Sequence, residues 1–159
     1  MKKFLLLAIG FLMTMTASAQ FEQGKYYCNG SLTGINLSYS GAEKLSLGVE
    51  AKGGYLVADN WMALVMAGYS HDEDVDDKFA VGVGGRYYII QNGLYMGLNA
   101  RLVHGGSGYN DIMPGLELGY AFFLGKSVTI EPSVYYDQSI KNHSDYSKVG
   151  LRIGVGVYL

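Results

Sequence analysis

Apolar residues recur at every second position through most of this chain, and the charges within those stretches fall only on the positions between. In residues 78–90, Phe79, Val81, Val83, Tyr87 and Ile89 oppose Ala80, Gly82, Gly84, Arg86 and Tyr88. In residues 149–159, Val149, Leu151, Ile153, Val155, Val157 and Leu159 oppose Gly150, Arg152, Gly154, Gly156 and Tyr158. A period of two is the signature of β-strands with two unlike faces. The same pattern runs through residues 44–57, 94–103, 112–124 and 128–136. Residues 25–40 carry Ile35, Leu37 and Tyr39 on one face. Residues 61–70 are apolar on both faces; we place Trp61, Ala63, Val65 and Tyr69 outward and Met62, Leu64 and Met66 inward. The expectation is eight antiparallel strands.

The charges decide which face is which. Glu50, Lys52, Arg86, Arg101, Glu117, Glu131 and Arg152 come from six segments, and all seven lie opposite the aliphatic residues. A charge facing lipid near the bilayer midplane costs about 2–4 kcal/mol. A face of continuous aliphatic residues without charges therefore suits lipid. A soluble barrel would place its apolar side chains inside and its charges outside. Glycine enters the argument here: the chain has 23, and many alternate with large polar residues on the charged face. A narrow lumen has room for that mixture. The fold expected is an all-β, eight-stranded antiparallel up-and-down transmembrane β-barrel. Its interior is expected to be plugged, with the seven charged residues forming a salt-bridged network, because an unpaired buried charge costs several kcal/mol.

The connections support the same topology. Residues 57–60, 91–93 and 124–127 read as tight turns, and Asn92-Gly93 is a strong hairpin signal. Residues 71–77, 104–111 and 137–145 read as longer polar loops, and 41–43 as a short one. Both termini then lie at the tight-turn end. Outward aromatics fall in two bands: Tyr55, Trp61, Tyr87, Tyr120 and Phe122 toward that end, and Tyr39, Tyr69, Phe79 and Tyr136 toward the other. Membrane barrels carry such girdles at both interfaces.

The N-terminus indicates export. Lys2 and Lys3 precede an apolar stretch from Phe4 to Met15, and Ala17-Ser18-Ala19 forms a small-residue cleavage site. We read residues 1–19 as a signal peptide and 20–159 as the barrel domain. Removing Lys2 and Lys3 from the 12 basic residues leaves 10 against 14 acidic ones, a formal charge of −4, so the domain has no electrostatic reason to bind nucleic acid. The single cysteine, Cys28, forms no internal disulfide.

These segments resemble a known family. Phe79-Ala80-Val81-Gly82-Val83-Gly84-Gly85-Arg86-Tyr87-Tyr88 looks like a recurring strand of small outer-membrane β-barrel proteins, and Gly54-Tyr55-Leu56-Val57-Ala58-Asp59-Asn60 like a strand closing in a tight turn. The final ten residues, from Gly150 to Leu159, resemble the C-terminal signal read by the barrel-assembly machinery, except that Leu159 stands where an aromatic residue usually ends the chain. The resemblance, to OmpA- and OmpX-like eight-stranded barrels, implies location in the cell outer membrane. It also implies outer-membrane lipids and the assembly machinery as partners.

Catalytic signals are weak. Some barrels of this size modify lipid A with His, Asp and Ser at the outer surface, and His71-Asp72, His104, Ser107 and His143-Ser144-Asp145 supply those residue types. Gly105-Gly106-Ser107-Gly108-Tyr109 lacks the final glycine of a nucleophile elbow. Asp72, Glu73, Asp74, Asp76 and Asp77 lack EF-hand spacing and read as a solvated acidic loop. No catalytic residue, metal ligand or cofactor is expected. The expected role is structural or surface-interacting, with an outer-leaflet lipid A-modifying enzyme or a small-solute channel as the alternatives.

Overall fold

The computed structural model describes residues 21–35, 47–72, 75–89, 93–105, 109–140 and 147–159. The expected signal peptide, 1–19, lies outside them, as do Leu37 and Tyr39. The strands are β1 (Tyr26–Ile35), β2 (Leu47–Ala58), β3 (Trp61–Asp72), β4 (Val75–Tyr88), β5 (Leu94–Gly105), β6 (Tyr109–Tyr120), β7 (Phe122–Phe123), β8 (Val128–Asp137) and β9 (Lys148–Tyr158).

Each strand pairs antiparallel with its neighbours, β1 pairs with β9, and β6 pairs with β8, so the sheet closes on itself. Closure removes free edges, which is the condition for a sheet to cross a membrane. The two residues of β7 continue β6 beyond a break at Ala121, so the barrel has eight walls. Pro132 lies on the β8 stretch between Ser133, paired with Gly119, and Ile130, paired with Phe122. Lacking an N–H, proline removes a ladder bond there. A bulge between Thr33 and Ile35 shifts the β1–β9 register.

The turns at the end carrying both termini are tight. Asn60 has φ 66° and Gly93 has φ 109°, the left-handed conformations that such reversals of the chain require. A side chain at Gly93 would run into the Ala121 carbonyl. The far end departs from expectation. β3 runs to Asp72 and β4 begins at Val75, and β5 runs to Gly105 and β6 begins at Tyr109, while the short connection expected at 41–43 lies outside the described residues. Strands there extend into segments that read as loops. Beyond the lipid, an outward position no longer needs to be apolar, so the alternation fades while the backbone ladder continues.

The outward face is an apolar belt. Leu32, Val65, Val83, Leu98, Leu102 and Ile153 are all half or more exposed. The expected phase of β3 matches: Trp61, Ala63, Val65 and Tyr69 face out, and Met62, Leu64 and Met66 are buried. Aromatics pack in the lower girdle, Trp61 against Tyr87 across strands at 4.7 Å and Tyr120 against Phe122 along one wall at 4.3 Å between centroids. At the far end Tyr69 and Phe79 are register partners and both exposed. Cys28 faces outward on β1.

Candidate functional site

The site is the lumen. Alternation carries one face of every strand inward, and the residues there stack in layers along the axis.

The layer nearest the termini is aromatic. Phe21, ahead of β1, is fully buried and stacks on Tyr88 with centroids 3.7 Å apart. Its edge contacts are with Phe123 and Tyr158. The Asn60 amide donates to the Phe21 carbonyl at 3.0 Å, and the Gln23 amide donates to the Asp59 carboxylate at 2.9 Å, so the segment is tied to the β2–β3 turn. Leu56, Met62, Tyr27 and Tyr95 belong to the same cluster.

Above it sits Glu131. One carboxylate oxygen accepts from Thr129 at 2.8 Å and from the Tyr158 hydroxyl at 3.2 Å. The other accepts from the Tyr27 hydroxyl at 2.5 Å and from Arg86 at 2.9 Å. The Arg86 guanidinium lies 3.8 Å from the Tyr95 ring centroid and 5.2 Å from that of Tyr27. Ring faces are electronegative, so this cation is neutralised by two π-systems as well as by a carboxylate.

The middle layer joins opposite walls. Glu117 on β6 accepts from Lys52 at 2.8 Å, from Tyr95 at 3.0 Å and from Arg152 at 3.1 Å. Arg86 stands 3.6 Å away. Glu50 lies 3.3 Å from both Lys52 and Arg152, and 2.9 Å from Arg101. Arg152 also lies 4.4 Å from the Tyr135 ring centroid. The uppermost described layer holds Arg101 with Asp137 at 3.3 Å, and Ser139 donating to Asp111 at 2.5 Å.

The structure places all seven sequence-derived residues in this lumen and brings them into contact: Glu50, Lys52, Arg86, Arg101, Glu117, Glu131 and Arg152. Six are buried, and the Arg101 side chain is 12% exposed. That set has four cations against three anions. Asp137, which the sequence reading assigned to a loop, supplies the fourth carboxylate. Its signal was available: inward positions 131, 133 and 135 lead to 137, one step past where the apolar face stops. Tyr27 and Phe21 were also missed, because hydroxyls and rings carry no charge with which to mark a face, whereas Thr129 fell on the charged face of its segment without being given a role.

Inward glycines make this crowding possible. A Cβ on Gly150 would sit 2.6 Å from the Tyr135 ring, and one on Gly156 would sit 2.6 Å from the Glu131 carboxylate. On Gly119 a Cβ would collide with Tyr95. Large polar side chains fill the volume that glycine vacates on the neighbouring strand. Met62 and Leu64 likewise pack over Gly54, and Met66 over Gly82.

The loop residues considered for catalysis do not assemble a triad among the described residues. His104 lies on β5, not in a loop, and its Nδ1 is 2.6 Å from Asn110 Oδ1 across the β5–β6 pair. Ser139 and Asp111 face the lumen, whereas His104 faces out. Ser107 and His143 lie outside the described residues, and so does the side chain of His71. No group of three or more His, Cys, Asp or Glu suited to a metal ion occurs among the described residues.

No family model and no curated protein matches the chain. Solved structures do. The N-terminal β-barrel domain of Pseudomonas aeruginosa OprF superposes with a TM-score of 0.64 at 13% identity, covering 86% of this chain and 98% of that one. Neisserial surface protein A superposes at 0.57 with 16% identity, covering 85% and 97%. Yersinia pestis outer membrane protein Ail superposes at 0.59 with 13% identity, covering 86% and 100%. Likeness at such identity speaks for the fold, and the apolar belt speaks for lipid around it. The chain has the fold of the small eight-stranded outer-membrane β-barrels.

Proposed function

We propose that this protein is a non-enzymatic barrel that serves the outer membrane as a structural or surface-interacting element, with a sealed lumen. The observation that carries this reading is the ion-paired network centred on Glu117. It links β2, β4, β6 and β9 through Lys52, Arg86 and Arg152. Filling side chains on four walls leave a barrel of eight strands little cross-section for a solute. Phe21 adds an aromatic stopper at one mouth. With the interior occupied, the surfaces left for interaction are the far-end connections and the lipid-facing belt. The outer-membrane lipids are the partners of that belt. The barrel-assembly machinery reads the strand from Gly150 to Leu159 during insertion.

One neighbour, Neisserial surface protein A, carries a name that refers to the surface, and that name supports a surface role here without fixing a ligand. Single-channel recording in planar bilayers tests the sealed lumen: the expectation is no steady conductance, and a stable large one would refute it. Lipid A mass spectra with and without the gene test the non-enzymatic reading. A changed acyl pattern would replace it with the lipid-modifying one.

A further inference from the structure

One stretch of the lipid-facing wall is concave and ends in a polar pair. It lies at the far end, across β4, β5 and β6, and encloses about 860 Å³. Val81, Leu102 and Ile112 are register neighbours and form its floor. Phe79 bounds one side. Ile140, which follows β8 and is 66% exposed, bounds the other. The chain holds Ile140 there by running alongside β6: the Gln138 amide donates to the Pro114 carbonyl at 2.8 Å, and Ser139 is bonded to Asp111.

The row above the floor is Phe79, His104 and Asn110, again register partners. It coincides with the upper aromatic girdle, so it lies where hydrocarbon gives way to headgroups. A carbonyl oxygen can only accept, so in the neutral ring the His104 Nδ1 bonded to Asn110 Oδ1 carries the hydrogen. Nε2 is then the ring's acceptor, at the polar end of an apolar groove.

We infer that this groove is a binding site for a membrane lipid with a neutral, hydroxyl-bearing sugar headgroup, one acyl chain lying on Val81, Leu102 and Ile112 and a sugar hydroxyl donating to His104. The inference rests on the reading of the chain as a membrane-embedded barrel. Continuity of the groove with the lipid-facing belt supplies its occupant. The hydrogen bond to His104 supplies the preference among lipids, since every lipid can fill the groove with a chain.

The test is native mass spectrometry of the full mature barrel released from vesicles. The vesicles contain equal parts of phosphatidylcholine, phosphatidic acid and monoglucosyl diacylglycerol with matched chains. A heat-modifiable gel band first establishes insertion of each variant, which separates failure of the barrel reading from failure of this one. Wild type is expected to retain the glucosyl lipid about three- to tenfold over phosphatidylcholine, the span that one neutral hydrogen bond provides. His104→Phe keeps the ring volume and is expected to abolish the preference, while His104→Gln, which retains an acceptor, keeps part of it. Equal retention of all three lipids, or preferential retention of phosphatidic acid, would overturn the inference. So would a preference unchanged in His104→Phe. A second measurement needs no variant: a glucosyl lipid with a photoreactive acyl chain is expected to label β4 to β6 in wild type, and even labelling around the barrel would refute the site.

Discussion

Neutralising Glu117 is the sharpest test of the lumen. In Glu117→Gln the side chain keeps its shape and loses its charge. Lys52 Nζ, 2.8 Å away, and Arg152 Nη1, 3.1 Å away, lose their nearest carboxylate. Both are buried, with side chains 1% and 2% exposed, so water does not replace what is lost. Removing one partner of a buried pair costs about 3–5 kcal/mol. Here the lower end applies, because Glu50 remains 3.3 Å from each cation. We therefore expect a loss of about 3 kcal/mol, or roughly a hundredfold in the folding equilibrium. Urea titration of the barrel in lipid vesicles, followed by gel mobility, measures it. The charge-matched double variant Glu117→Gln/Lys52→Met should recover much of the loss, since it restores the balance between cations and carboxylates. A Glu117→Gln loss below about 1 kcal/mol, the size of an exposed pair, would show that the lumen is hydrated and the network weak.

Other substitutions separate the two faces and the two ends. Gly150→Ala should destabilise by about 1–3 kcal/mol through collision with Tyr135, whereas Gly30→Ala, with no atom within 4 Å of the added carbon, should be near neutral; both are read by the same urea titration. Val65→Arg turns a charge toward lipid and should cost about 2–4 kcal/mol, with slower insertion into vesicles as the second readout. Phe21→Ala removes a fully buried ring and should cost about 3 kcal/mol, while quenching by aqueous iodide of a tryptophan introduced at Tyr88 should rise as that mouth opens.

The lumen residues could be found in the sequence because lipid enforces the rule strictly. Every strand that crosses hydrocarbon must keep charge off one face, so Arg86 and Arg152 announced their side even though their carboxylate partners lie on distant segments of the chain. Where that pressure ends, so does the signal. β3 reaches Asp72, β4 begins at Val75, β5 continues to Gly105 and β6 begins at Tyr109, all in stretches that read as loops. Asp137 was lost for the same reason, and with it the charge that balances Arg101.

By itself, the sequence determined the strand count, the two faces, the tight turns at the terminal end and seven of the buried charges. These follow from a period of two and from the cost of charge in lipid, which are local properties of each strand. Only the tertiary structure decided who meets whom. Glu117 and Lys52 are 65 residues apart and lie on non-adjacent walls, and Glu50 and Arg152 are 102 residues apart. Barrel closure and stagger fix those encounters, and both depend on the register of every strand at once. The same closure brings Phe21 from ahead of the sheet into the mouth and lays Ile140 beside β6. No periodicity encodes either placement.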